Sequence, residues 1–167
     1  MNSNIIKILV VIILVAILIY LMATQKKDLS SKQVLTDEEI YDYIVDLWAY
    51  FEDKNIEEYT EEQLVVISVT AYDGEMNNGG ISQFLTNSSN MFLPMLSNSL
   101  NQIKAIEHKK QLEDFIKNNK IDINNLESLE IENENDYDSE FYELEEEENL
   151  YDLILEYAKK NYDKIIY

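Results

Sequence analysis

The 167-residue chain carries 33 acidic residues against 13 basic ones, a formal charge of −20, with no cysteine and one histidine, His108. That composition excludes disulfides, thiolate metal sites and a cysteine nucleophile, leaves too few histidines for a multi-histidine zinc site, and sets the surface against a phosphate backbone. The length allows one domain of ordinary size. Every basic residue is Lys, a bias that points to an AT-rich bacterial coding sequence.

The first element in chain order is an apolar run. Ile5 to Ala23 has Lys7 as its one charge, and from Ile8 onward its one polar residue is Tyr20. Nineteen residues at ~1.5 Å each reach about 28 Å, close to the hydrocarbon thickness of a bilayer. Tyr20 suits the interfacial belt and Lys7 can reach the near surface. A cleaved signal peptide prefers a small residue where Leu21 stands, a lipoprotein needs a cysteine, and a buried core helix would have a polar face. Residues 1–24 therefore read as a retained single-pass membrane anchor. Residues 25–35 read as a polar tether. Lys26, Lys27 and Lys32 outnumber Lys7, which places the following domain on the cytoplasmic side of a bacterial inner membrane.

Residues 36–167 hold nearly all the negative charge and almost no chain breakers. Gly74, Gly79, Gly80 and Pro94 fall within one short stretch, which favours helices over strands and turns. Thr36 to Glu39 has the pattern of a capping box, and Ile40, Ile44, Leu47, Trp48 and Phe51 follow at helical spacing, predicting a helix to about Asp53. Thr60 to Gln63 repeats the box ahead of Leu64, Ile67, Ala71 and Tyr72. Pro94 suits the start of a long helix carrying Leu96, Leu100, Ile103, Ile106 and Phe115 to about Asn118. Asn119 to Asn149 is polar and acidic, with a short helix expected around Phe141, Tyr142 and Leu144. Leu150, Leu153, Ile154, Tyr157 and Ala158 mark the last helix. The expected fold is all-α: a compact domain of five or six helices preceded by a single N-terminal transmembrane helix.

The most individual stretch is Tyr72 to Ser89: a helix end, a tight Asn78-Gly79-Gly80 turn, and a short amphipathic helix. Gly supplies positive φ without steric cost and Asn tolerates it. Glu75, Gln83 and Asn87 are then placed to hydrogen-bond exposed amides and carbonyls around the turn. Glu75, Asn78, Gly79, Gly80, Ile81, Gln83, Phe84, Leu85, Asn87 and Ser88 resemble the signature of a bacterial family named for an acidic DNA-mimic protein. The likeness extends loosely from Glu38 to Ile165, and Lys104 stands where the family has a small residue. The resemblance implies an all-helical fold, no catalytic residues, and a surface that imitates DNA toward a DNA-binding protein. Glu75, Asn78, Gly79, Gly80, Gln83, Phe84 and Asn87 read as a structural turn.

Other chemistries fit these residues less well. Asp136, Asp138, Glu140 and Glu147 fall at calcium-loop spacing, but Phe141 stands where the sharp turn needs Gly. Ser88 or Ser89 with His108 suggests a hydrolase pair, but His108 reads as a solvated histidine on a polar helix face. The aromatic set Trp48, Tyr50, Phe51 and Tyr72 reads as core. No catalytic residue, metal or cofactor is expected. The acid run Glu127 to Glu148 holds twelve acids and no Lys, and serves either solubility or attraction of a basic partner. The candidate contact residues are Glu143, Glu145, Glu146, Glu147 and Glu148. The function expected is a non-catalytic, membrane-anchored, acidic protein-binding domain that engages a basic DNA-binding protein; an immunity or antitoxin-type protein neutralising a toxin is the alternative, and a hydrolase the third reading. Expected partners are that basic protein and the lipid bilayer through residues 5–23, with a homodimer allowed and no direct nucleic acid.

Overall fold

The computed structural model describes residues 13–20, 35–51, 56–126 and 133–166. It divides into two units, Met1–Leu35 and Thr36–Tyr167. In the first, residues 13–20 are helical and exposed, Tyr20 included. The remaining anchor positions, among them Ile5, Lys7 and Ala23, and the tether before Leu35 lie outside the described residues. Among the described residues no helix is long and apolar enough to cross a membrane.

The second unit is all-helical among its described residues. Its helices are α1 (Asp37–Ala49), α2 (Glu61–Thr86), α3 (Leu93–Ile103), α4 (Ile106–Asn118), α5 (Glu134–Glu147), α6 (Leu150–Lys160) and α7 (Tyr162–Ile165), with 3₁₀ turns at Ile56–Glu58 and Ser88–Phe92. Both capping boxes form: Thr36 accepts from the Glu39 amide while Glu39 answers to Thr36, and Thr60 pairs likewise with Gln63. The second box also holds the C-terminal end of the chain, because Thr60 Oγ1 and Gln63 Nε2 donate to the carbonyls of Lys164 and Ile165 at 2.9 and 2.8 Å.

Helix α2 is the axis of the domain. Eight consecutive residues, Val65 to Tyr72, are buried, because α1, α3, α5, α6 and α7 all pack against it. A helix buried on every side has no need of an apolar stripe, which explains how the β-branched Val65-Val66 pair fits a helix here. Phe51, Tyr59, Ile67, Ala71 and Phe92 form a core cluster on one side. On the other, Tyr72 is fully buried and makes edge contacts with Phe84 and Phe141 at 5.2 and 5.7 Å between ring centroids. Of the expected aromatic core, Phe51 and Tyr72 are buried, Trp48 is half-buried and Tyr50 is exposed.

Several expectations are corrected. The domain has seven helices among its described residues where five or six are expected, and α1 ends at Ala49 rather than near Asp53. The long helix from Pro94 to Asn118 is two helices, broken at Lys104, which adopts the left-handed conformation at φ 71°. The break is a Schellman closure: the amides of Ala105 and Lys104 reach back to the carbonyls of Leu100 and Asn101 at 2.9 and 3.2 Å. Lys104 thus holds a conformation that glycine adopts without strain. The short helix expected around Phe141 is a full 14-residue helix, α5.

Candidate functional site

The glycine pair bends α2 sharply. Gly79 is extended at φ −163° and Gly80 lies at φ 73°, ψ −170°, a region reserved to glycine. In a straight helix Tyr72 and Phe84 would stand about 18 Å apart along the axis; their rings are 5.2 Å apart because the chain doubles back. The new helix end at Ile81 presents a free amide, and Asp138 of α5 accepts from it at 2.9 Å. Ser82 adds a short bond to Glu134, one turn away on the same helix.

Inside the bend lies Glu75, 8% exposed. Its Oε2 accepts from Gln83 Nε2 at 2.6 Å and Asn87 Nδ2 at 2.9 Å, and its Oε1 from Ser89 Oγ at 2.6 Å. Burial raises the Glu75 carboxyl, yet the three donors outweigh it and hold it below the usual range, so it is ionised near neutrality. The signature side chains therefore bond one another across the bend rather than the backbone of the turn, which corrects the expected pairing. Ser89, outside the expected set, completes the network. Asn78 is exposed at the apex and Phe84 is buried.

The acid run divides in two. Glu148 caps α4: its Oε1 accepts from the Ile106 amide at 2.9 Å, and its Oε2 from the amides of Glu107 and His108 at 3.0 and 3.1 Å. A carboxylate at a helix N-terminus also complements the helix dipole. Glu145 turns the same way, 3.2 Å from His108 Nε2, and accepts from Asn149 Nδ2 at 2.9 Å. His108 is fully buried, with Nε2 at 3.0 Å from the Glu148 carbonyl and its ring 5.1 Å from Phe141. The expectation of a solvated histidine is thus corrected: the junction of α5 and α6 covers the helix face that its polar neighbours had marked as open. Ser89 serves Glu75 and His108 serves α5, so the two belong to separate networks.

Glu143, Glu146 and Glu147 remain exposed. With Asp136 and Glu140, also exposed, they form the outer surface of α5; Asp136, Glu140, Glu143 and Glu147 recur at the 4-3-4 spacing that shares one helix face. Beside Asp136 and Glu140 runs a groove of about 230 Å³, bordered on α4 by Glu107, Lys110 and Asp114. The residues once spaced like a calcium loop lie on continuous helix, and among the described residues no group of acids and histidine is gathered to hold a metal.

The sequence pattern of the DMP19-like protein family matches residues 57–161. The chain belongs to the DMP19-like protein family. The matched DMP19-like region contains the bend, the Glu75 network, α4 and α5, and begins after α1. Neither a curated protein nor a solved structure matches the chain.

Proposed function

We propose that the chain is a non-catalytic protein-binding domain that engages a basic, DNA-binding protein, and that its apolar segment 5–23 holds it at the bacterial inner membrane with the domain on the cytoplasmic side. The observation that carries this reading is the face of α5, where four carboxylates stand exposed and eight of fourteen residues are acidic with no Lys among them. DMP19-like membership supports a DNA-mimic role for this surface. Asp136 to Glu147 spans about 16 Å of helix, one charge per ~5 Å on that face, against ~3.4 Å along one DNA strand. The groove against α4 brings Glu107 and Asp114 alongside as a second acidic border. Such a surface attracts a basic groove and speeds encounter more than it holds the complex together.

The test is a cross-linked pull-down of the full-length chain from native membranes, read by mass spectrometry. A DNA-binding protein should be recovered that releases DNA when the chain is added. Replacing Glu140, Glu143 and Glu147 together by Gln should slow its association, as should raising salt. A partner indifferent to both the replacements and the salt would overturn the acidic-surface reading. Recovery of a toxin that the chain inactivates would favour the neutralising alternative. Carbonate-resistant pelleting of the full-length protein with membranes tests the anchor, and recovery in the soluble fraction would remove it.

A further inference from the structure

A cavity of about 310 Å³ opens between the end of α1, the bend of α2 and the 3₁₀ turn at Ser88–Phe92. None of its lining residues belongs to α4 or α5. Its walls are apolar and aromatic: Trp48, Phe51 and Phe92, with Val45 and Met91. Phe51 and Phe92 meet edge to face at 4.9 Å, which fixes their orientation. Glu75 lines the same cavity.

That carboxylate has an unusual position. It is more than nine-tenths buried and is held by Gln83, Asn87 and Ser89, all neutral donors. Among the described residues no ion pair involves it. A carboxylate offers about four acceptor positions; Oε2 uses both of its own and Oε1 accepts one bond, from Ser89. One acceptor position and a full negative charge are thus left beside a small aromatic-walled space. Aromatic faces attract cations, and an apolar wall accepts an aliphatic stem. The volume is at the small end for a ligand pocket, which suits a short chain better than a ring system.

We propose that this cavity is a binding site for a primary ammonium group on an aliphatic stem, the ammonium donating to Glu75 Oε1 and the stem lying against Trp48, Phe51 and Phe92. The chemistry is shared by a free alkylamine and by a lysine side chain, and the site is independent of the acidic face of α5. Its charge balance is simple: the ammonium neutralises a buried carboxylate whose three present partners are all uncharged.

Trp48 is the chain's one tryptophan, so its fluorescence reports on this cavity alone. The full-length protein is titrated with n-butylammonium, with acetyl-Gly-Lys-Gly-amide and with 1-butanol at physiological salt. A saturable 1:1 change in Trp48 emission with at least one of the two amines is expected, and about tenfold weaker binding of 1-butanol, which lacks the charge. Tighter binding of the peptide assigns the site to a protein lysine; tighter binding of butylammonium assigns it to a free amine. Val45→Phe adds bulk to the cavity from α1 while leaving Glu75, Gln83, Asn87 and Ser89 unchanged, and should abolish the response while leaving the melting temperature within a few degrees. Glu75→Gln should weaken amine binding about tenfold if the variant folds. Equal affinity for 1-butanol, undiminished binding to Val45→Phe, or no saturable response to either amine would overturn the proposal.

Discussion

At the bend of α2 the Glu75 carboxylate is satisfied within one short stretch, by Gln83, Asn87 and Ser89, whereas Asp138 of α5 and its C-cap Glu148 reach backbone amides between 40 and 57 residues away. In the first region every partner is close in sequence, and the glycine pair that brings them together is visible by itself. In the second, residues of one type and nearly one position have opposite fates: Glu148 caps a distant helix while Glu146, two residues earlier, faces solvent. A short-range network can be read as a motif. A long-range one makes an acid run look like a uniform surface when part of it is internal structure.

The two regions meet at Gly80, and the largest effect is expected there. A Cβ at Gly80 would lie 2.1 Å from Asp138 Oδ2 on a backbone with φ +73°, so Gly80→Val should cost about 2–4 kcal/mol in chemical denaturation. At Gly79 the backbone is extended and the obstruction is the Gln83 side chain; Gly79→Val should cost about 1–2 kcal/mol, mostly by displacing Gln83 from Glu75. Equal costs at the two positions would show that α5 adds nothing to the constraint at the bend.

The next test separates the two fates within the acid run. Glu148→Ala removes the acceptor of three amides at the start of α4 and should lower stability by about 1–3 kcal/mol, whereas Glu146→Ala should stay within about 0.5 kcal/mol. Similar values for both would break the division between internal and surface acids.

A third test uses pH. Burial, with the Glu145 carboxylate nearby, pushes Asp73 up to about 6 from its ordinary 3.8. The unfolded chain ionises Asp73 more readily, so the folded state loses stability as pH rises from about 4 through 6 and gains it back on acidification. Asp73→Asn should therefore stabilise at pH 8 by about 1–2 kcal/mol and make no difference at pH 3.5. Glu75 has the opposite sign, its lowered carboxyl contributing stability that is lost as pH falls through its folded value. A variant at Asp73 whose benefit grew toward acid would contradict the burial argument.

The smallest effect is expected at the break between α3 and α4. Lys104 holds a left-handed conformation, and Lys104→Gly should stabilise by about 0.5–1 kcal/mol, measured as a rise in melting temperature.

What the amino-acid sequence determined by itself is local. The starts of α1 and α2 follow from Thr36 with Glu39 and from Thr60 with Gln63, because a capping box is closed within four residues. The bend follows from Gly79-Gly80, because only glycine relieves the backbone at Gly80, and the helical class follows from the scarcity of breakers elsewhere. Tertiary structure decided the rest. The end of α3 depends on a lysine accepting a conformation it does not favour, and the length of α5 on packing that its charge-rich sequence does not announce. Burial of His108, the caps supplied by Asp138 and Glu148, and the joining of Glu75 to an aromatic cavity all require segments far apart in the chain to be placed side by side. Hydrogen bonds and burial act through space, whereas the spacing of residues along a chain reports only the neighbours that one helix turn can reach.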